Sequence, residues 1–233
     1  MEKKRVRFLE RGQRTGTVVS FRFSAEGIDF TAGQYLRIIF DEENHGNREL
    51  NKFLSFSCAP GKEYFEVTKR LSSSEFSARL SSLEPGDEVL CQLPMGTCVL
   101  GEKRSVLFLA GGIGITPVIS MIEDVVIHQK PVDVFLLYSN VSLKEIAFKN
   151  ELDIWAAQEN INVVYTLTDC DSVNEECLAG RIDKAMITQH VDNLKERELF
   201  IFGPPPMVSA MRQICAEIKD CSGKIHFESF TGY

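Results

Sequence analysis

Ser105-Val106-Leu107-Phe108-Leu109-Ala110-Gly111-Gly112-Ile113-Gly114-Ile115-Thr116-Pro117 is the stretch that decides the fold. Ser105 to Ala110 is an apolar run of strand length, suited to a parallel sheet covered on both faces. Gly111, Gly112 and Gly114 lack a Cβ, so the backbone can turn sharply and approach a ligand. Thr116 is expected to cap the following helix through its hydroxyl. Pro117 is then expected at the first helical position, where no N–H is needed. Helix N–H groups aimed at a glycine-lined gap suit a phosphate or pyrophosphate. Taken alone, the stretch is also compatible with a tight strand–helix turn that holds no ligand.

Working outward, the chain has 233 residues, enough for two compact domains or one large one. The net charge is −7. Basic and acidic residues balance up to residue 100, so the whole acidic excess lies beyond it. An acidic protein of pI about 5.3 is a poor nucleic-acid binder. None of the seven cysteines forms a Cys-x-x-Cys pair, so the sequence gives no metal-site signature. The odd count and the absence of a signal peptide fit the cytoplasm. The apolar stretch 105–122 is interrupted by three glycines and Pro117, which argues against a membrane span.

The first hundred residues read as short strands: Arg5 to Leu9, Thr15 to Phe23, Tyr35 to Phe40, Lys52 to Ser57, Tyr64 to Lys69 and Glu88 to Leu93. One helix, Glu75 to Ser82, interrupts them. The expectation is a small antiparallel barrel. Beyond Ala110 strands and helices alternate. Helices are expected at Thr116 to His128, Lys144 to Gln158, Asp183 to Gln189 and Pro205 to Ile218. Strands are expected at Val132 to Tyr138, Ile161 to Thr168, Glu198 to Phe202 and Lys224 to Phe227. This is the pattern of a parallel α/β sheet, whose ligands sit beyond the carboxyl ends of its strands.

Several runs, taken in order, resemble the ferredoxin–NADP reductase superfamily. Lys52-Phe53-Leu54-Ser55 is similar to the family's flavin motif Arg-x-Tyr-Ser, with lysine and leucine in place of arginine and tyrosine. Ser74-Glu75-Phe76-Ser77-Ala78-Arg79-Leu80 resembles Gly-x-x-Ser-x-x-Leu, which binds the FAD pyrophosphate. Gly111-Gly112-Ile113-Gly114-Ile115-Thr116-Pro117 looks like the family's nucleotide loop. Tyr138-Ser139-Asn140 looks like its adenosine-side run, with Val141 where the family has arginine. Gly203-Pro204-Pro205-Pro206-Met207 resembles the turn that approaches the nicotinamide. Glu228-Ser229-Phe230 resembles the Glu-x-Phe tail, with Tyr233 ending the chain.

The resemblance implies an FAD-binding barrel over residues 1–100, an NAD(P)-binding α/β domain over 101–227 and a tail, 228–233, at the flavin. It implies FAD and NADH or NADPH as cofactors, NADH being favoured because Val141 carries no charge. It implies catalytic roles for Ser55, Glu228 and Tyr233. The cofactor-binding set is Lys52, Phe53, Leu54, Ser55, Ser74, Ser77, Gly111, Gly112, Gly114, Thr116, Pro117, Tyr138, Ser139, Asn140, Arg181, Gly203, Pro204, Pro205, Met207 and Tyr233, with no metal. The implied partner is a protein electron acceptor such as ferredoxin, flavodoxin or another enzyme. Two alternatives remain open: an electron-transfer subunit of a larger complex, and a nucleotide-binding regulator without flavin.

Overall fold

A computed structural model describes residues 2–169, 177–221 and 224–230 of the chain. Strands β1 (Glu2–Gln13), β2 (Val18–Ser24), β3 (Tyr35–Ile39), β4 (Asn51–Ser55), β5 (Tyr64–Arg70) and β6 (Glu88–Met95) form one sheet, in the order β4-β3-β6-β1-β2-β5. Every pairing in it is antiparallel. The sheet curls until its two edges meet through a single bridge, Phe56 to Val67. Elsewhere the edges stay apart, so this half is barrel-like with an open side between β4 and β5. Its core is rich in phenylalanine: Phe8, Phe21, Phe23, Phe56 and Phe65 are fully buried. Phe23 stacks on Phe65 at 5.4 Å, and Phe30 on Phe56 at 3.8 Å. Helix α1 (Glu75–Ser82) closes one end through Phe76 and Leu80.

β1 is longer than the expected Arg5 to Leu9, despite its many charges. It lies inside the sheet and pairs with both β2 and β6. Ladder hydrogen bonds on both edges, with Val6 and Phe8 buried, hold it extended.

The second sheet runs β10-β9-β8-β7-β11-β12 and is parallel throughout. Its strands are β7 (Ser105–Gly111), β8 (Asp133–Asn140), β9 (Ile161–Leu167), β10 (Cys177–Ala179), β11 (Glu198–Gly203) and β12 (Ile225–Ser229). Helices α2 (Ile115–Ile127) and α3 (Lys149–Trp155) accompany one face, while α4 (Lys184–His190) and α5 (Pro205–Glu217) cover the other. This is why β7, β8 and β11 read as continuous apolar runs: each is buried on both sides. β10 has only three residues and leaves no such run to read.

Two expectations need correction. Thr116 does not cap α2. The glycine turn closes as a 3-10 turn over Gly112–Gly114 and runs directly into the helix, whose cap is Gly114. Thr116 Oγ1 instead donates back to the Ile113 carbonyl at 3.2 Å, and Pro117 becomes the third helical residue. Lys144 to Gln158 is not one helix either. A 3-10 turn, Leu143–Glu145, is separated from α3 by Ile146, Ala147 and Phe148, all buried. Phe148 takes a left-handed conformation, φ 62°, before α3 begins. Burial of this apolar triplet overrides the helical period of the sequence.

The two sheets meet at a seam of opposite charges. Arg14 pairs with Glu66 of β5 at 3.0 Å and with Glu151 of α3, and lies over the Phe148 ring at 4.3 Å. Lys62 pairs with Glu123 of α2 at 2.7 Å, and Arg70 pairs with Glu145. The Ala59 N–H donates to Glu123 at 2.6 Å, and Ser120 Oγ donates to the Cys58 carbonyl at 2.6 Å. A cavity of about 230 Å³ remains in the seam, with Trp155, Tyr64 and Phe148 on its wall. Among the described residues no helix is long and apolar enough to cross a membrane.

Arg14→Met should keep the apolar stem and lose both carboxylate contacts. Glu66 keeps Arg22 at 2.9 Å, so the cost should be about 1–3 kcal/mol in urea unfolding rather than loss of the fold. Unchanged stability would show that the pair adds nothing to the seam.

Candidate cofactor cleft

Alternation along β4 and β5 sets the first part of the site. Lys52 and Leu54 lie opposite Ile38 and Leu36, both fully buried, so they share the inner face of the sheet. Lys69 lies opposite Val19 and in line with Phe65 and Val67, so it too points inward. The two lysines therefore converge on the open side between β4 and β5. Burial, and then the neighbouring charge of Lys52, hold Lys69 below the usual lysine range. Lys69 Nζ donates to the Arg70 carbonyl at 2.9 Å. Among the described residues neither lysine has a carboxylate within ion-pair distance.

The α1 N-terminus supplies hydroxyl groups to the same half. Ser74 is its cap, accepting from the Ser77 N–H at 3.3 Å. Ser74 Oγ donates to Ser77 Oγ at 3.0 Å, and Ser72 Oγ donates to Ser74 Oγ at 3.1 Å. Phe53 is not gathered with these groups. It lies on the outer face, 58% exposed, edge-on to Tyr35 at 5.9 Å and beneath Arg37. Ser55 is buried opposite Tyr35 at the end of β4.

The second part lies at the carboxyl ends of β7, β8, β11 and β12. A Cβ on Gly114 would stand 2.6 Å from the Phe202 carbonyl oxygen and 2.8 Å from Gly203 Cα. Glycine is what lets the Gly111–Gly114 turn lie against the end of β11. Met207 packs into the same corner, filling the space beside Gly111 and Gly203. Gly112 has φ +51° with open space where a Cβ would stand. Pro204 caps α5 and Pro205 opens it, as the Gly-Pro-Pro run predicts. Tyr138, fully buried, donates its hydroxyl to the Gly112 carbonyl at 3.0 Å and braces the turn. Ser139 is half-buried on the neighbouring strand end. Asn140 is buried, and neither end of its amide has a partner. Arg181 is exposed, after Gly180 beyond β10.

Glu228 lies opposite Phe202 on β12, one residue before the Ser229–Gly203 pair. Phe230 N–H donates to the Gly203 carbonyl at 3.0 Å and ties the tail to the turn. Burial raises the Glu228 carboxyl to about 7. Tyr233 lies outside the described residues. Among the described residues no cluster of His, Cys, Asp and Glu could hold a metal ion.

The residues present fit two nucleotides. Two uncompensated lysines facing the open side of a barrel suit a pyrophosphate. An orphaned Asn140 amide beside a glycine turn with open space above it suits a polar ligand. Lys69 was not among the residues singled out by motif. Its signal was present in the period-two order Phe65, Val67, Lys69, which puts a cation on an apolar face.

Residues 108–213 match the family model of the oxidoreductase NAD-binding domain. Over 210 residues the chain is 27% identical to a flavohemoprotein of Oceanobacillus iheyensis, covering 86% of this chain and 51% of that one. It is 26% identical over 208 residues to reductase component 1 of terephthalate 1,2-dioxygenase from Comamonas sp, covering 86% and 59%. The chain thus spans little more than half the length of these curated relatives. Its fold is that of a ferredoxin NADP+ reductase from Neisseria gonorrhoeae with bound FAD and NADP. The TM-score is 0.81 at 22% identity, covering 98% of this chain and 99% of the other.

Two outcomes test this geometry. Gly114→Ala must push on backbone and should cost about 1–3 kcal/mol, whereas Gly112→Ala has open space and should cost about 1 kcal/mol from its positive φ. Equal costs in thermal unfolding would contradict the packing of the two turns. For Glu228, the folded chain keeps a proton between its ordinary value of 4.5 and about 7, where the unfolded chain has lost it. Stability should therefore fall as pH rises through that window. Glu228→Gln should remove that part of the slope, with the two proteins converging below about pH 4.

Proposed function

We propose that this chain, a member of the ferredoxin–NADP reductase superfamily, is an FAD-dependent NAD(P)H oxidoreductase. Its residues 1–100 hold the flavin, residues 101–227 hold the nicotinamide nucleotide, and the tail 228–233 reaches the flavin. The observation that carries the reading is the convergence of Lys52 and Lys69 on the open side of the first sheet, without a carboxylate to balance them. Such a pair costs free energy unless an anion joins it. The flavin pyrophosphate is that anion, with the Ser74 and Ser77 end of α1 as further donor. Lysine at position 52 keeps the charge of the family's arginine and gives up its two-pronged geometry.

Leu54 lines the flavin ring, and Ser55 follows it at the end of β4. Gly111, Gly112 and Gly114 allow the nicotinamide nucleotide to lie against the backbone at the start of α2. Gly203, Pro204, Pro205 and Met207 form the opposite wall. Tyr138, Ser139 and Asn140 face the adenosine side, where the unpartnered Asn140 amide gains a bond. Arg181 is a phosphate contact. Val141 is apolar and exposed next to Asn140, which favours NADH over NADPH. FAD, when bound, supplies the capacity to accept a hydride and release its electrons singly. Glu228 holds or releases a proton at its carboxyl near neutral pH, beside the turn that approaches the nicotinamide. The electrons pass to a protein acceptor, by analogy with the relative named as a dioxygenase reductase component. The site of action is the cytoplasm.

The test is direct. The purified chain mixed with FAD should give a yellow complex that NADH bleaches without oxygen, faster than NADPH does. Replacing Lys52 and Lys69 together by Met should weaken FAD binding about 10- to 100-fold, measured by fluorescence titration. A well-folded chain that binds a nicotinamide nucleotide but no FAD would overturn this reading in favour of the regulator.

A further inference from the structure

Outside the cleft, the far end of α5 brings two cysteines together. Cys215 lies in the last turn of α5 and is fully buried. The Ile218 N–H donates to the Cys215 carbonyl at 3.3 Å, and the Cys221 N–H donates to the Ile218 carbonyl at 3.0 Å. These two turns fold the chain back, so that Cys221 packs against the same apolar cluster as Cys215. The two side chains lie close enough to influence each other's ionisation. Cys221 is only partly buried, so one sulfur of the pair meets solvent and the other sits behind it.

We propose that Cys215 and Cys221 form a reversible disulfide, with Cys221 as the sulfur that a hydroperoxide attacks and Cys215 as the resolving thiol. The pair is chemically asymmetric in the required sense. Cys221 is partly exposed while Cys215 is fully buried, and the neighbouring Cys215 draws the Cys221 thiol below the usual cysteine range. Thiolate is the reactive form. By contrast, burial pushes the thiols of Cys58, Cys91 and Cys98 up to about 12.

The chemistry balances with hydrogen peroxide as oxidant. The Cys221 thiolate attacks one peroxide oxygen, the O–O bond breaks, and hydroxide leaves to become water on taking a proton. Cys221 is then a sulfenic acid. The Cys215 sulfur attacks the Cys221 sulfur, an S–S bond forms, the S–O bond breaks, and the departing hydroxide takes the Cys215 proton as water. Two thiols have lost two electrons, and one peroxide has become two waters. The disulfide ties the segment that follows α5 back onto the last turn of that helix. Gly203 and Pro204 immediately precede α5, and Glu228 lies in β12. An external dithiol restores the reduced pair.

The protein's own cleavage sites make the test clean. Trypsin cuts after Arg212, Lys219 and Lys224, so the two cysteines fall on separate peptides, 213–219 and 220–224. Folded protein exposed to hydrogen peroxide and digested without reductant should yield these peptides as one linked species that dithiothreitol separates. In Cys215→Ser, with nothing to resolve it, dimedone should label Cys221 at least about tenfold faster than any of Cys58, Cys91 and Cys98. Circular dichroism establishes that the variant is folded. Cys221→Ser, at the more exposed position, should abolish the linked species. Recovery of both peptides unlinked after peroxide, or dimedone on a buried cysteine ahead of Cys221, would overturn the proposal.

Discussion

Three glutamates of the parallel half, Glu123, Glu145 and Glu151, are each held by a cation of the antiparallel half. That seam is the constraint on which the rest depends. The proposed cleft takes one wall from each sheet, so it depends on how the two are held together. The acidic excess beyond residue 100 is thus partly spent inside the molecule. Arg14 is the most constrained member, since it meets a carboxylate from each half and an aromatic face as well. Glu66 behind it is only 3% exposed, and two guanidiniums offset the cost of its burial.

Within the parallel half the deciding contact is backbone on backbone. The glycine turn after β7 lies against the end of β11 because Gly114 has no side chain to hold them apart. Tyr138 braces the turn from below. Three strand ends therefore present the Gly111–Gly114 turn, the Gly203–Met207 turn and Glu228 side by side. Their order along the chain is far apart, and the parallel topology makes them neighbours.

Much of this was legible beforehand. The apolar runs of β7, β8 and β11 announced a sheet buried on both faces, and Gly-Pro-Pro marked the start of α5. What escaped reading has physical causes. Thr116 is a good cap by type, but a 3-10 turn before it began the helix early. The helical period from Lys144 onward was real, yet burying Ile146, Ala147 and Phe148 was worth more than extending the helix. Lys69 looked like the polar end of a strand. The period-two order Phe65, Val67, Lys69 already pointed it inward, and its pairing with Val19 bears this out. Phe53 sits within the motif and faces the other way, because neighbours along a strand point to opposite sides.

The cavity at the seam has one further consequence. The chain contains a single tryptophan, and that residue, Trp155, stands at the wall between the halves. Its ultraviolet emission is therefore a built-in gauge of the joint. Any hinge motion that parts the halves changes the surroundings of one indole, with no dye attached and no other indole to confuse the signal.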